Sequence, residues 1–126
     1  VKSSVSFVQQ FPGVDPNRVG MLGTSLGGFV GSSAAADDPR IKSLVVLSGG
    51  MPDPIAQNVR WLPRTLIVHG AQDQDVPVWE AYKLRDLMAQ RGLAHTLDVL
   101  PCEGHIPFRA KDAVAAKVLC FFDSTL

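Results

Sequence analysis

Gly23-Thr24-Ser25-Leu26-Gly27-Gly28 stands between two unlike stretches. Before it, Val19 to Leu22 is short and apolar and reads as a strand. After it, Leu26 to Ala36 is rich in small residues and reads as a helix that stops near Asp37-Asp38-Pro39. A serine at a strand-to-helix junction points to a tight, strained turn that lifts one hydroxyl above the end of a sheet. Cβ atoms at positions 23 and 27 are expected to collide with that turn and with neighbouring backbone, which accounts for glycine at both. The helix that follows directs its amino end at the hydroxyl, with the Leu26 N–H nearest.

The alternation continues in both directions. Leu44 to Leu47 is an unbroken apolar run followed by Ser48-Gly49-Gly50, and Thr65 to Val68 is another, followed by His69-Gly70. Val78 to Arg91 is amphipathic: Ala81, Leu84, Leu87 and Met88 recur at helical spacing, Glu80, Lys83, Arg85 and Asp86 keep to the wet side, and Gly92 caps it. Thr96 to Leu100 reads as a strand and Ala113 to Phe122 as a closing helix. Upstream, Ser3 to Gln10 reads as the end of a helix with Val5 and Val8 on one side, broken by Phe11-Pro12-Gly13 and followed by a turn at Asp15-Pro16-Asn17. Short uninterrupted apolar strands suit a parallel sheet covered on both faces. The expected fold is α/β: residues 1–126 as a single domain, with a parallel sheet of about four strands flanked by helices.

Composition narrows the function classes. Of 126 residues 46% are apolar and 19% charged, and twelve basic residues balance twelve acidic ones. That balance offers no electrostatic capture of nucleic acid or of an anionic membrane, and no apolar run reaches the roughly 20 residues of a membrane-spanning helix. A soluble protein is expected, with the cytoplasm favoured. The chain starts at Val1 without a recognisable leader, so a processed or partial chain is expected. Cys102 and Cys120 form no CxxC pair or metal-like cluster and are expected to be reduced, packed thiols.

The chemistry resides in three loops. A serine hydroxyl needs a base to attack a carbonyl near neutral pH. His105, in Glu103-Gly104-His105 after the last strand, is the candidate, because catalytic groups gather at the carboxyl edge of a parallel sheet. The base needs a carboxylate to fix its tautomer. Gly70-Ala71-Gln72-Asp73-Gln74-Asp75-Val76-Pro77 offers Asp73, with Asp75 in reserve or as a cap of the next helix. His69 reads as a hydrogen-bonded structural group, His95 as solvated, and Asp53 as a turn residue. Trp61 and Trp79 could line the site or pack on the core. The Leu26 N–H is the expected oxyanion donor. No metal or cofactor is expected.

With these residues in hand, the chain resembles the dienelactone hydrolase-like branch of the α/β-hydrolases, which includes serine esterases and prolyl-oligopeptidase-type catalytic domains. The resemblance is carried by Phe11 to Gly20 approaching the elbow, by Gly23-Thr24-Ser25-Leu26-Gly27-Gly28, by His69-Gly70 with Asp73 and Val76-Pro77, and by Gly104-His105 with Phe108. The order Ser25, Asp73, His105 is the one this family uses. The resemblance implies a serine hydrolase, a carboxylesterase acting on a small ester, with a peptidase segment or a catalytically silent module as alternatives. Dienelactone hydrolases proper carry cysteine where Ser25 stands. The family fold has about eight strands, and the four here resemble the last four. The loop that gives the second oxyanion N–H has no counterpart upstream of the elbow. Val19 to Leu22 would then be an apolar edge, expected to be covered by a second copy of the chain or by an N-terminal half.

Overall fold

A computed structural model describes residues 1–126. The elements are α1 (Lys2–Val8), β1 (Val19–Thr24), α2 (Leu26–Asp37), β2 (Ile41–Leu47), α3 (Asp53–Ala56), β3 (Arg64–Gly70), α4 (Trp79–Gln90), β4 (His95–Leu100) and α5 (Lys111–Thr125). The four strands form one parallel sheet in the order β1-β2-β3-β4, so each strand lies beside its neighbours in sequence. This is the expected α/β architecture, with four strands of an α/β-hydrolase sheet.

Alternation along the strands explains why unbroken apolar runs were required. On β2 and β3, Ile41, Leu44, Val46 and Ile67 turn to one side and join Ala35, Ala81, Leu84 and Met88 in the larger core. Val45, Leu66 and Val68 turn to the other and pack under Val114 and Val118 of α5. Both faces of these central strands are therefore dry, and a polar residue on either would lose its water. α5 also lies over Gly20, where the Phe122 ring fills the space a Cβ would need.

Several local expectations need correction. Val5 is buried, but Val8, one turn on, is exposed, because nothing lies over that side of α1. The stretch between β2 and β3 contains the four-residue helix α3, too short for hydrophobic periodicity to reveal, and Asp53 opens it rather than sitting in a turn. Asp75 does not cap α4, whose N-cap position is Val78. Cys102 and Cys120 are free thiols but exposed, not packed. Gly92 does end α4: at φ +65° it lets its own N–H reach Ala89 O while the Leu93 N–H reaches Met88 O, closing a Schellman motif.

Candidate functional site at the carboxyl edge of the sheet

β1 delivers Ser25 to the carboxyl edge of the sheet, and α2 begins at the next residue. Ser25 has φ 54° and ψ −124°, a conformation that L-residues avoid. Backbone hydrogen bonds hold it there. Its N–H donates to Leu47 O at 2.9 Å, and its carbonyl accepts from Gly28 N at 2.9 Å. The turn closes only because Gly23 has no side chain, since a Cβ there would overlap the Gly27 carbonyl. Gly27 does not share this role: a Cβ at 27 would meet nothing, contrary to the sequence expectation. The second crowded position is Gly28, where a Cβ would lie 3.2 Å from Gly49 Cα and from the Val46 side chain. Leu26 opens α2, so its N–H has no partner within the helix.

The loop between β3 and α4 carries Asp73, whose side chain is fully buried. Its Oδ1 accepts from the N–H groups of Asp75 and Val76, both at 2.9 Å. Its Oδ2 lies 2.8 Å from His105 Nδ1. Burial pushes the Asp73 carboxyl up, but the hydrogen bonds from Val76, His105 and Asp75 outweigh it and hold the carboxyl below its ordinary range. Asp75 is exposed and contributes its backbone N–H, not its carboxylate.

His105 lies in the loop between β4 and α5 with its ring partly exposed. Nε2 is 2.9 Å from Ser25 Oγ. Since Oδ2 can only accept, Nδ1 carries the ring proton in the neutral tautomer and Nε2 presents its lone pair to the hydroxyl. The loop reaches this place because Gly70 is bare: a Cβ there would overlap the backbone carbonyls of Glu103 and Gly104. Ser25, Asp73 and His105, 80 residues apart at the extremes, thus meet in one chain of hydrogen bonds.

Two further residues support this chain. His69, buried at the end of β3, donates from Nε2 to Val76 O at 2.9 Å, and Nε2 lies 3.2 Å from Asp73 Oδ2. Its Nδ1 is buried without a partner, and the acceptors around Nε2 place the proton there. His69 so pins the same peptide segment that feeds Asp73. Ser48, which the sequence reading passed over, donates from Oγ to His105 O at 2.7 Å. The remaining candidates lie outside the site. His95 is half-buried, with Nδ1 2.8 Å from Leu93 O, rather than simply solvated. Asp53 pairs with Lys83 at 2.7 Å. Trp61 lines a separate groove of about 960 Å³ beside α1, α2 and α3. Trp79 is half-exposed with Lys83 Nζ 4.5 Å from its ring centroid.

The comparisons agree with this architecture. Residues 52–126 match the prolyl oligopeptidase family. No curated protein matches the chain by sequence. Dipeptidyl peptidase 4 of Porphyromonas gingivalis superposes with a TM-score of 0.83 at 16% identity, over 98% of this chain and 22% of that one. A truncated carbohydrate esterase from gut microbiota gives 0.85 at 17%, over 98% and 66%. The acetyl ester-xyloside bifunctional hydrolase of Caldicellulosiruptor lactoaceticus gives 0.75 at 23%, over 98% and 63%. At these identities the likeness is one of fold, and the chain spans from about a fifth to two thirds of these proteins. With more than half of its length matched, the chain belongs to the prolyl oligopeptidase family, within the α/β-hydrolase superfamily.

Proposed function

We propose that the chain carries the catalytic groups of a serine hydrolase that cleaves a small carboxylic ester, with Ser25 as nucleophile, His105 as general base and Asp73 as the residue that orients the base. The observation that carries this reading is the unbroken path from Ser25 Oγ to His105 Nε2 at 2.9 Å and from His105 Nδ1 to Asp73 Oδ2 at 2.8 Å. A silent module would have no reason to hold a strained serine within hydrogen-bond reach of a histidine so oriented.

Each step uses groups of this chain. Nε2 takes the Oγ proton as Oγ forms a bond to the ester carbonyl carbon, and the carbonyl π-electrons move to oxygen. The Leu26 N–H, at the positive end of α2, donates to that oxyanion, together with a second N–H that in this fold comes from a loop upstream of the elbow. The tetrahedral species collapses, the C–O bond to the alcohol breaks, and the Nε2 proton leaves with the alkoxide. Water then bonds to the acyl carbon as Nε2 takes its proton, the bond from that carbon to Ser25 Oγ breaks, and the Nε2 proton returns to Oγ as the acid leaves. Asp73, ionised and buried, stabilises the imidazolium in both halves without taking its proton.

Family membership favours a second substrate class, the peptide bond. The chemistry is the same, with an amine as leaving group. The carbohydrate esterase and the bifunctional ester hydrolase among the similar structures support the ester reading, and dipeptidyl peptidase 4 the peptide one. Incubation with a fluorophosphonate, followed by mass mapping, is expected to place the label on Ser25. Absence of label there overturns the reading. Hydrolysis of p-nitrophenyl acetate set against a dipeptidyl p-nitroanilide then separates ester from peptide.

The reading includes a partner at the β1 edge. β1 pairs on one side only, and Leu22, half-exposed, faces the α5 side where that helix does not reach. Such an edge is a template for another strand. An N-terminal half of a longer chain, or a second copy of this one, would cover it.

A further inference from the structure

Ser48 follows the last residue of β2, where the chain leaves the sheet, and it has φ 46°. This is the left-handed region, open to glycine and costly to a residue with a Cβ. Two glycines follow it directly, so glycine is no stranger to this bend. The backbone of Ser48 does nothing a glycine could not do: its N–H donates to Val68 O at 2.9 Å, extending the contact with β3. What glycine could not supply is the hydroxyl, which donates to His105 O at 2.7 Å across 57 residues of sequence. Ser48 is itself buried, so its hydroxyl finds its hydrogen-bond partner inside the protein.

The position of Ser48 matters as much as its bond. The preceding carbonyl, Leu47 O, accepts from Ser25 N, and a Cβ on the following Gly49 would lie 3.0 Å from Ser25 O. The segment 47–49 therefore touches the serine turn with its backbone and the histidine loop with the Ser48 side chain. His105 is held at two points, its ring by Asp73 and its main chain by Ser48. The ring hangs from that main chain through Cα and Cβ, so a shift of the loop backbone would move Nε2 relative to Ser25 even while Nδ1 stays bonded to Asp73. The Ser48 bond restrains the main chain against that shift.

We propose that Ser48 is a positioning residue for His105, keeping a strained backbone so that its hydroxyl can fix the imidazole's distance from Ser25. The inference rests on the hydrolase reading above. Ser48 touches neither the ester nor the reacting atoms, so its loss would lower kcat and leave KM unchanged.

Two variants of the full chain separate positioning from simple stability. S48G removes both the hydroxyl and the strain, and S48A removes the hydroxyl and keeps the strain. Thermal melting, p-nitrophenyl acetate kinetics and the low-field proton NMR signal of His105 Nδ1–H are measured on each. S48G is expected to melt at or near the parent temperature and S48A below it. Both are expected to lose roughly ten- to a hundredfold in kcat, a 1 Å displacement of a catalytic group being able to cost about 10², at constant KM, and to show a broadened Nδ1 proton. If kcat instead follows the melting temperature, or S48G matches the parent in kcat and in the NMR signal, the inference is overturned. If the parent takes no fluorophosphonate label, the hydrolase reading fails instead, while the NMR signal in S48G still decides whether Ser48 holds the ring.

Discussion

The Asp73 carboxylate receives three hydrogen bonds in a place closed to solvent, and they hold it ionised against the cost of burial. A carboxyl that binds its proton more weakly folded than unfolded stabilises the fold fully above its unfolded pKa of about 3.9, and loses that contribution as pH falls through the lower, folded value. Asp38 behaves likewise, with Arg40 donating to it from Nε and Nη2, and contributes in the same window. Acid titration followed by circular dichroism should show stability falling below about pH 4, and more shallowly in D73N. The same substitution should cost on the order of 10⁴ in kcat, because an amide can present an N–H to Nδ1 and reverse the histidine tautomer. Ser25 offers the opposite trade. Its φ of 54° is strain that glycine would not feel, so S25G should abolish turnover and fluorophosphonate labelling yet raise stability by about 1 kcal/mol in urea unfolding.

At the scale of elements, the serine turn sets two glycines with different tasks in one motif. Gly23 is bare because the backbone of Gly27 occupies its Cβ position, whereas Gly27 itself faces open space within α2. G23A should therefore disrupt the β1–α2 junction, with soluble yield and melting temperature both falling. G27A should be tolerated, and the better helix former should add up to about 1 kcal/mol. Equal effects of the two alanines on melting temperature would refute this account of the turn. The sequence motif marks both positions alike. The crowding that distinguishes them depends on how closely α2 folds back over the end of β1.

For the whole molecule, α2 and α4 cover one face of the sheet and α5 part of the other, leaving β1 with an unpaired edge and Leu22 half in water. The 126-residue chain by itself should associate at micromolar concentration, seen by light scattering coupled to size exclusion. Leu22→Lys should suppress that association, since charge on an edge strand opposes pairing. A parent chain that remains monomeric and stable at these concentrations would argue that β1 needs no cover.

The order of elements, the parallel sheet and the three loops that bear Ser25, Asp73 and His105 were legible from sequence, because strand and helix periodicities and breaker residues are local properties of the chain. Element ends were legible to within a few residues, and α3 was not, because four residues contain barely one helical turn. Only the tertiary structure decided that Gly28 and Gly49, not Gly27, admit the close approach at the serine turn, that Asp75 serves by its backbone, and that Ser48 reaches His105. Each of these is a contact between segments far apart in the chain. Local composition carries no record of such a meeting, which is fixed by how helices and loops pack against the common sheet.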